Sequence, residues 1–500
     1  MKFDRSSGIL LHPTSLPGPF GIGDLGHNAC KWIDFLSDAG CVLWQVLPLG
    51  PTGYGDSPYQ CFSAFAGNPY LISPDLLHAD GLLEVDDINN PPPFPPDRVD
   101  YGQVIQWKLS ILDRAYDHFQ ARATSSLRAE YEEFQFRKAS WLDDFALFMM
   151  LKEMHGGAAW VTWAEPYRKR DPKALDKAKQ ANPQIYSRQV FRQFLFFRQL
   201  HSLRDYLADK GIKVIGDIPI FVAHDSADVW AHPELFFLRD SGEPTFVAGV
   251  PPDYFSATGQ LWGNPLYNWK IHAADGYSWW LARLGAVLEM VDIVRLDHFR
   301  GFAGYWQIPG GEKTAIKGRW VKGPGKALFS RVKDSLGDLP IIAEDLGVIT
   351  PDVVDMRDHF GLPGMKILQF GFESDPSDPF LPHNYETNCV AYTGTHDNDT
   401  VLGWFERVPE KSRDFCLHYL DSDGTNISWD MIRSVWSSVA VFALAPMQDF
   451  LSLGNTARMN YPGNPSGNWS WRMPVDALSE RLCKRIKGIN YLYSRENITP

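Results

Sequence analysis

Apolar residues along the chain gather into eight short, β-branched runs separated by stretches with helical spacing. The runs are GILLH (8–12), CVLWQVLPL (41–49), KVIGDIPIFV (213–222), DIVRLDHF (292–299), PIIAEDL (340–346), MKILQF (365–370), CVAYTGTH (389–396) and VFALAPMQDFL (441–451). Near-continuous hydrophobicity of this kind suits buried strands. Amphipathic stretches fall between most of them, for example 29–39 before the second run and 277–290 before the fourth. Strand–helix alternation repeated eight times predicts an α/β fold, a (β/α)8 TIM-like barrel rather than a doubly wound sheet.

The spacing of the runs is uneven. About 160 residues separate the second from the third, far more than a strand–helix connection needs. The first part is turn-rich (PTGYGDSPYQCFSAFAGNPY, then the proline cluster 91–96), and 101–210 is patterned as helix, as in SWLDDFALFMMLKEMHGG. We therefore expect one barrel domain over 1–500 with a loop-rich, mainly helical insertion subdomain at 50–210. A second insertion, 223–275, contains VAGVPPDYFSATGQLWGNPLYNW (247–269), whose Gly, Pro and aromatic content reads as an active-site loop. Only about 50 residues follow the eighth run, too few for a C-terminal β-sandwich domain of about 100.

Composition narrows the partners. A net charge of −12 argues against nucleic acid and anionic membranes, and an uncharged or cationic substrate is easier to reconcile with that field. No apolar run is long enough to span a bilayer, and the N-terminus has no signal-peptide core. Six scattered cysteines without a C-x-x-C pair suggest reduced thiols in a cytoplasm. The outlier is aromatic content, 14% of the chain. Most of these rings belong to a large core, but a surplus on Gly/Pro-rich loops would offer flat platforms for sugar rings or bases.

Three acids end three of the runs: Asp297 in VDIVRLDHFRG, Glu344 after LPIIA, and Asp397 in VAYTGTHDNDT, roughly 50 residues apart. A carboxylate at the end of a buried strand is costly to keep there, and in a barrel such positions converge on one pocket. Strand alternation puts Arg295 on the face of Asp297, where a guanidinium should lower the carboxyl pKa and keep it ionised as a nucleophile. The apolar context of Glu344 should raise its pKa and suit it to proton donation. One depressed and one raised carboxyl is the retaining glycosidase pattern. Asp397 could stabilise an oxocarbenium-like transition state, with His298 and His396 bonding sugar hydroxyls. Alternatives remain at this level. A strand-end Asp often caps the next helix, as Asp345 could; Arg295–Asp297 could be a structural ion pair. Three such acids can also hold a divalent cation, although Arg295 counts against that.

Longer strings carry a resemblance. VRLDHFRG, AEDLG and TGTHDNDT resemble active-site segments of the α-amylase superclan. LLHPTSLPGPFGIGDLG, WQVLPLGPTGYGDSPYQCFSAFAGNPYLI, GDIPIFVAHDSADVW, VAGVPPDYFSATGQLWGNPLYNW, FGLPGMKILQF and ARMNYPGNPSGNWSWR are similar to the amylomaltase family of 4-α-glucanotransferases, over about 8–472. The resemblance implies retaining transfer of α-1,4-glucan segments between maltooligosaccharides or amylose, with glucose as a product and no cofactor. It implies Asp297 as nucleophile, Glu344 as acid then base, and Asp397 as transition-state stabiliser. Arg295, His298 and His396 would support the nucleophile and donor sugar, and Asp217 would lie near the sugar at the cleavage point. Wider relatives continue from that Asp to a His and a calcium-binding Asn. This chain reads Asp217-Ile-Pro-Ile-Phe-Val, so neither the histidine nor a calcium site is expected. Tyr254, Phe255, Trp262 and Asn264 would form a lid and sugar-facing surface that disfavours water. Tyr54, with Tyr101, would belong to a remote glucan site. Asp56, Ser57, Tyr59, Asn464 and Ser466 would be polar rim contacts or simply turn residues. A monomer or weak homo-oligomer is expected.

Overall fold

The computed structural model describes residues 3–252, 256–464 and 466–496. Among them are twelve strands: β1 Ser6–Leu10, β2 Leu43–Gln45, β3 Lys213–Pro219, β4 Phe246–Val250, β5 Gln260–Pro265, β6 Ile293–Asp297, β7 Gly304–Pro309, β8 Arg319–Lys322, β9 Ile341–Ala343, β10 Gly364–Ile367, β11 Cys389–Tyr392 and β12 Phe442–Pro446. Eight of them pair in the order β10-β11-β12-β1-β2-β3-β6-β9, every pair parallel. The seam between β9 and β10 is bridged by the Ala343 N–H, which donates to the Pro363 carbonyl at 2.9 Å. This is the (β/α)8 barrel, and each barrel strand falls on one of the eight apolar runs.

The strands alternate between two apolar environments, which is why their runs look continuous. Leu43, Ile215, Ile293, Ile342, Met365, Ile367, Val390, Tyr392, Phe442 and Leu444 pack together inside the barrel. Their neighbours Trp44, Val294, Leu296, Ala343, Ala391 and Ala443 belong to the larger core between barrel and helices. Burying each large side chain contributes about 1.5–3 kcal/mol.

The insertion between β2 and β3 contains the helices Tyr101–Arg122, Ser125–Arg137, Ala139–Met154 and Pro183–Asp209. The last of these holds the turn-rich first part of the insertion. Gln193 accepts from the Gly67 N–H at 2.8 Å and donates to the Gly67 carbonyl at 2.9 Å. Gln199 grips Ser73 in the same two-point way, at 2.7 and 3.1 Å. Only glycine fits at the first grip, because a Cβ on Gly67 would lie 1.9 Å from the Phe196 ring.

The stretch 247–269 is not the irregular loop its Gly and Pro content suggests. β4 and β5 form an antiparallel hairpin within a second sheet, ordered β5-β4-β7-β8. Glycines and prolines mask its period-2 pattern, and the rest of the sheet, β7 on β4 and β8 on β7, carries no continuous apolar run. Tyr254 and Phe255 lie outside the described residues. After β12 comes helix Glu480–Leu492 and no further strand among the described residues.

Candidate active site

The site is built on the carboxyl ends of β3, β6, β9 and β11. Ile293 faces the barrel interior, so Arg295 and Asp297 follow it inward at every second position. β3 lies alongside in register, Asp217 opposite Arg295 and Pro219 opposite Asp297. Arg295 is consequently shared: Nη1 lies 2.5 Å from Asp217 Oδ2 and 3.0 Å from Asp297 Oδ1. The Tyr59 hydroxyl donates to the same Asp217 oxygen at 2.8 Å.

Glu344 follows β9, and its backbone continues the ladder with β6: its N–H donates to the Leu296 carbonyl at 3.1 Å and its carbonyl accepts the Phe299 N–H at 3.0 Å. Its carboxyl accepts the backbone N–H of His298 at 2.6 Å and that of Leu346 at 3.0 Å. His298 adopts φ 54° to do this, a left-handed conformation that costs a side-chain-bearing residue about 1 kcal/mol or more. The acid is thereby held beside Asp297. Asp397 lies in the segment after β11. Asn460 donates to its Oδ1 at 2.6 Å, the His396 Nε2 lies 3.4 Å from its Oδ2, and Arg458 holds its backbone carbonyl at 2.6 Å. The His396 ring stacks on Tyr59 with centroids 5.1 Å apart, and Trp469 tilts against both.

Electrostatics sorts the acids, though not entirely as expected from sequence. Burial, the largest influence, pushes Asp297 up to about 6 against the pull of Arg295, with Asp217 and Asp397 adding to the rise. The expectation that Arg295 leaves Asp297 below the usual range therefore fails: desolvation at the barrel mouth outweighs one guanidinium that Asp217 also shares. Glu344 rises further, to about 8, through burial and then the Asp297 charge. The order survives, so near pH 7 Asp297 is the ionised partner and Glu344 the protonated one. Against the cost of desolvation, His396 and Asn460 hold Asp397 far below the usual carboxylate range. Its charge in turn raises His396, whereas burial keeps the His298 ring neutral, down to about 3. Among the described residues, Asp217 Oδ1, His298 Nε2 and His396 Nδ1 are buried without a protein partner; such atoms call for a hydrogen-bonding group, which sugar hydroxyls can supply.

The remaining sequence candidates divide. Trp262 on β5 meets the His298 ring edge-on at 4.8 Å, bringing the hairpin over the site. Asn264 is buried and ties the hairpin to the segment after β3, donating to the Val222 carbonyl at 2.9 Å. The Ser57 hydroxyl accepts the Tyr59 N–H at 3.2 Å, a turn contact that orients Tyr59. Asp56, half-buried, lies on that turn at φ 57°. Tyr54 stands 77% exposed at its tip. Asn464 and Ser466 are exposed. Tyr101 offers no exposed ring: it is packed with Ile22, Val99 and Val104, and its hydroxyl donates to the Trp469 carbonyl at 3.0 Å. Sequence reasoning missed Asn460, Arg458 and Trp469. They lie in a turn-rich string whose polar residues read as turn chemistry.

A family model described as 4-alpha-glucanotransferase matches residues 11–478. The chain belongs to that family. Curated relatives named 4-alpha-glucanotransferase include one from Thermus thermophilus, 51% identical over 98% of this chain and 99% of its own. A chloroplastic/amyloplastic relative from Solanum tuberosum is 46% identical over 98% and 86%. The amylomaltase of Streptococcus agalactiae, solved in complex with acarbose, superposes with a TM-score of 0.96 at 40% identity, covering 99% of this chain and 100% of that one. The amylomaltase of Corynebacterium glutamicum, 20% identical, shares the fold with a TM-score of 0.81 over 97% and 75%. This 4-alpha-glucanotransferase transfers glucan segments.

Proposed function

We propose that this glucanotransferase works by retaining double displacement on α-1,4-glucans, with Asp297 as nucleophile, Glu344 as acid and then base, and Asp397 as stabiliser of the transition state. The observation that carries this is the pair of unequal carboxyls on adjacent strands, Asp297 held by Arg295 and Glu344 raised above it by burial and by Asp297 itself. Asp297 attacks the anomeric carbon while Glu344 gives its proton to the departing glycosidic oxygen. Positive charge that develops on the sugar ring meets the ionised carboxylates Asp297 and Asp397. Consumption of the Asp297 charge in the covalent bond removes the repulsion that adds to burial in raising Glu344. Glu344 is then a competent base for the incoming 4-hydroxyl of the acceptor.

Asp217, with its free oxygen, His298 and His396 would bind donor hydroxyls, and Tyr59 with Trp469 would pack against the sugar ring. The acarbose complex of the Streptococcus agalactiae relative supports a pocket for such sugars. Tyr254 and Phe255, between β4 and β5 in sequence, would stack on the acceptor sugar and disfavour water, and Trp262 touches His298 at the site. Tyr54 is a further sugar platform on its exposure. Six unpaired cysteines support a reducing, cytoplasmic setting. Maltotriose tests the reading: glucose and longer oligomers should appear while reducing ends stay nearly constant. A steady rise in reducing ends would make the protein a hydrolase.

A further inference from the structure

Asp449 is a buried carboxylate that none of these roles uses. It follows β12 in the short helix Met447–Phe450, at the same end of the barrel as the site, and is 1% exposed. One oxygen accepts the Thr393 hydroxyl at 2.6 Å, and the other accepts the Val401 N–H at 2.8 Å. Thr393 and Val401 each stand four residues from Asp397, on either side of it. A single side chain just past the neighbouring strand therefore ties together both ends of the segment that carries His396 and Asp397.

The interior of this segment is braced from within and, besides Arg458 and Asn460 on Asp397, from two further points. Asn398 Oδ1 accepts both the N–H and the hydroxyl of Thr395 at 2.9 Å. Asn455 donates to Asp399 Oδ2 at 2.7 Å, and Gln369 to the Asp399 carbonyl at 2.9 Å. These bonds shape the turn and hold its second half. Asp449 joins its two feet, and among the described residues the Thr393 foot, on the side of His396, is otherwise held by backbone bonds to Leu444 and Gln369, both at 3.4 Å. A buried carboxylate is a costly way to close a loop, and one with both oxygens satisfied is correspondingly stiff.

We propose that Asp449 is a positioning residue for glucan transfer, holding the segment 393–401 so that Asp397 and His396 face the donor sugar. The proposal rests on the reading of Asp397 as transition-state stabiliser. It predicts that Asp449→Ala lowers kcat for maltotriose disproportionation about 10- to 100-fold while KM changes less than about 3-fold, since displacements of about 1 Å at a catalytic group carry losses of that order. Asp449→Asn should recover most of that rate, because its amide oxygen can accept from Val401 and its NH2 can donate to the Thr393 hydroxyl. Thr393→Val cuts one tie with little change of volume and should cost about 3- to 10-fold.

The experiment measures kcat, KM and Tm for these three variants of the full chain beside Asp397→Asn, well below each Tm. Loss of kcat in Asp449→Ala and Thr393→Val with recovery in Asp449→Asn supports the proposal. Wild-type kcat in a folded Asp449→Ala protein overturns it, as does a wild-type kcat in Thr393→Val should Asp449→Ala not fold. If Asp397→Asn is itself fully active, the reading of Asp397 fails instead.

Discussion

Replacing Arg295 by methionine keeps the side-chain length and removes the charge between Asp217 and Asp297. Two unit charges 3.0 Å apart at an effective dielectric near 20 attract by about 5 kcal/mol. At about 1.4 kcal/mol for each tenfold change in proton affinity, that could move the Asp297 pKa by about 4. The Asp297 side chain is 30% exposed, and water entering the gap would screen the remaining Asp217 charge, so half that value, about 2, is the working figure. Asp297 would then titrate near 8 instead of about 6, while Glu344, which Arg295 pulls down from farther away, rises less. The inequality on which the mechanism depends would narrow. Glucose release from maltotriose, followed as kcat/KM from pH 4.5 to 9, is the assay. In the wild type the rate should rise through about 6, as Asp297 ionises, and fall through about 8, as Glu344 deprotonates. In Arg295→Met the acid limb should move up to about 8, with at least a 10-fold loss at pH 7 from titration alone. Asp217→Asn removes a like charge and should move the same limb down. An Arg295→Met profile that is lower everywhere but keeps its acid limb near 6 would refute the electrostatic account and leave Arg295 as a spacer.

Glu344→Gln should cost several orders of magnitude on maltotriose and be partly rescued by a glycosyl fluoride donor, whose leaving group needs no proton; absence of rescue counts against the acid role. The same variant should raise Tm above pH 8. Glu344 has its folded pKa raised over the unfolded value near 4.5, so its stabilising contribution is full below about 4.5 and lost as pH rises through about 8; equal Tm values at pH 9 would contradict this. Tyr254→Ala should shift product from longer oligomers towards hydrolysis, and an unchanged transfer-to-hydrolysis ratio would remove the lid from the mechanism. Gln193→Leu leaves the Gly67 amide unpaired and should destabilise the fold by about 1–3 kcal/mol, read as a lower urea midpoint with unchanged slope; an unaltered midpoint would show the grip to be dispensable.

Much of the fold was legible along the chain because each barrel strand is buried on both faces. Both parities are then apolar, and the runs stand out whatever their neighbours. The same period of two placed Arg295 and Asp297 on one face, correctly, without reference to any other strand. β4, β5, β7 and β8 escaped because the β4–β7 pairing that unites them in one sheet is non-local. Gly249, Gly259 and Gly263 break the alternation in one hairpin, and the apolar positions of β7 are interleaved with Trp306 and Gln307. The polar partners of Asp397 escaped for a related reason, since an asparagine in a turn and an asparagine aimed at a carboxylate have the same local sequence.

The sequence by itself determined the eight strands, the three acids at their ends and the family to which they point, since strand periodicity and motif strings are properties of neighbouring residues. Only the tertiary structure decided how those acids are charged. Asp217 and Arg295 are 78 positions apart in the chain yet directly opposed in the sheet, and Tyr59 reaches Asp217 from a loop held by Gln193 and Gln199 across 126 positions. A pKa sums desolvation and charge over everything nearby in space, so Arg295 two residues away could not predict Asp297 alone. The order of Asp297 and Glu344 was readable from their flanks; the upward displacement of both was set by the closed barrel around them.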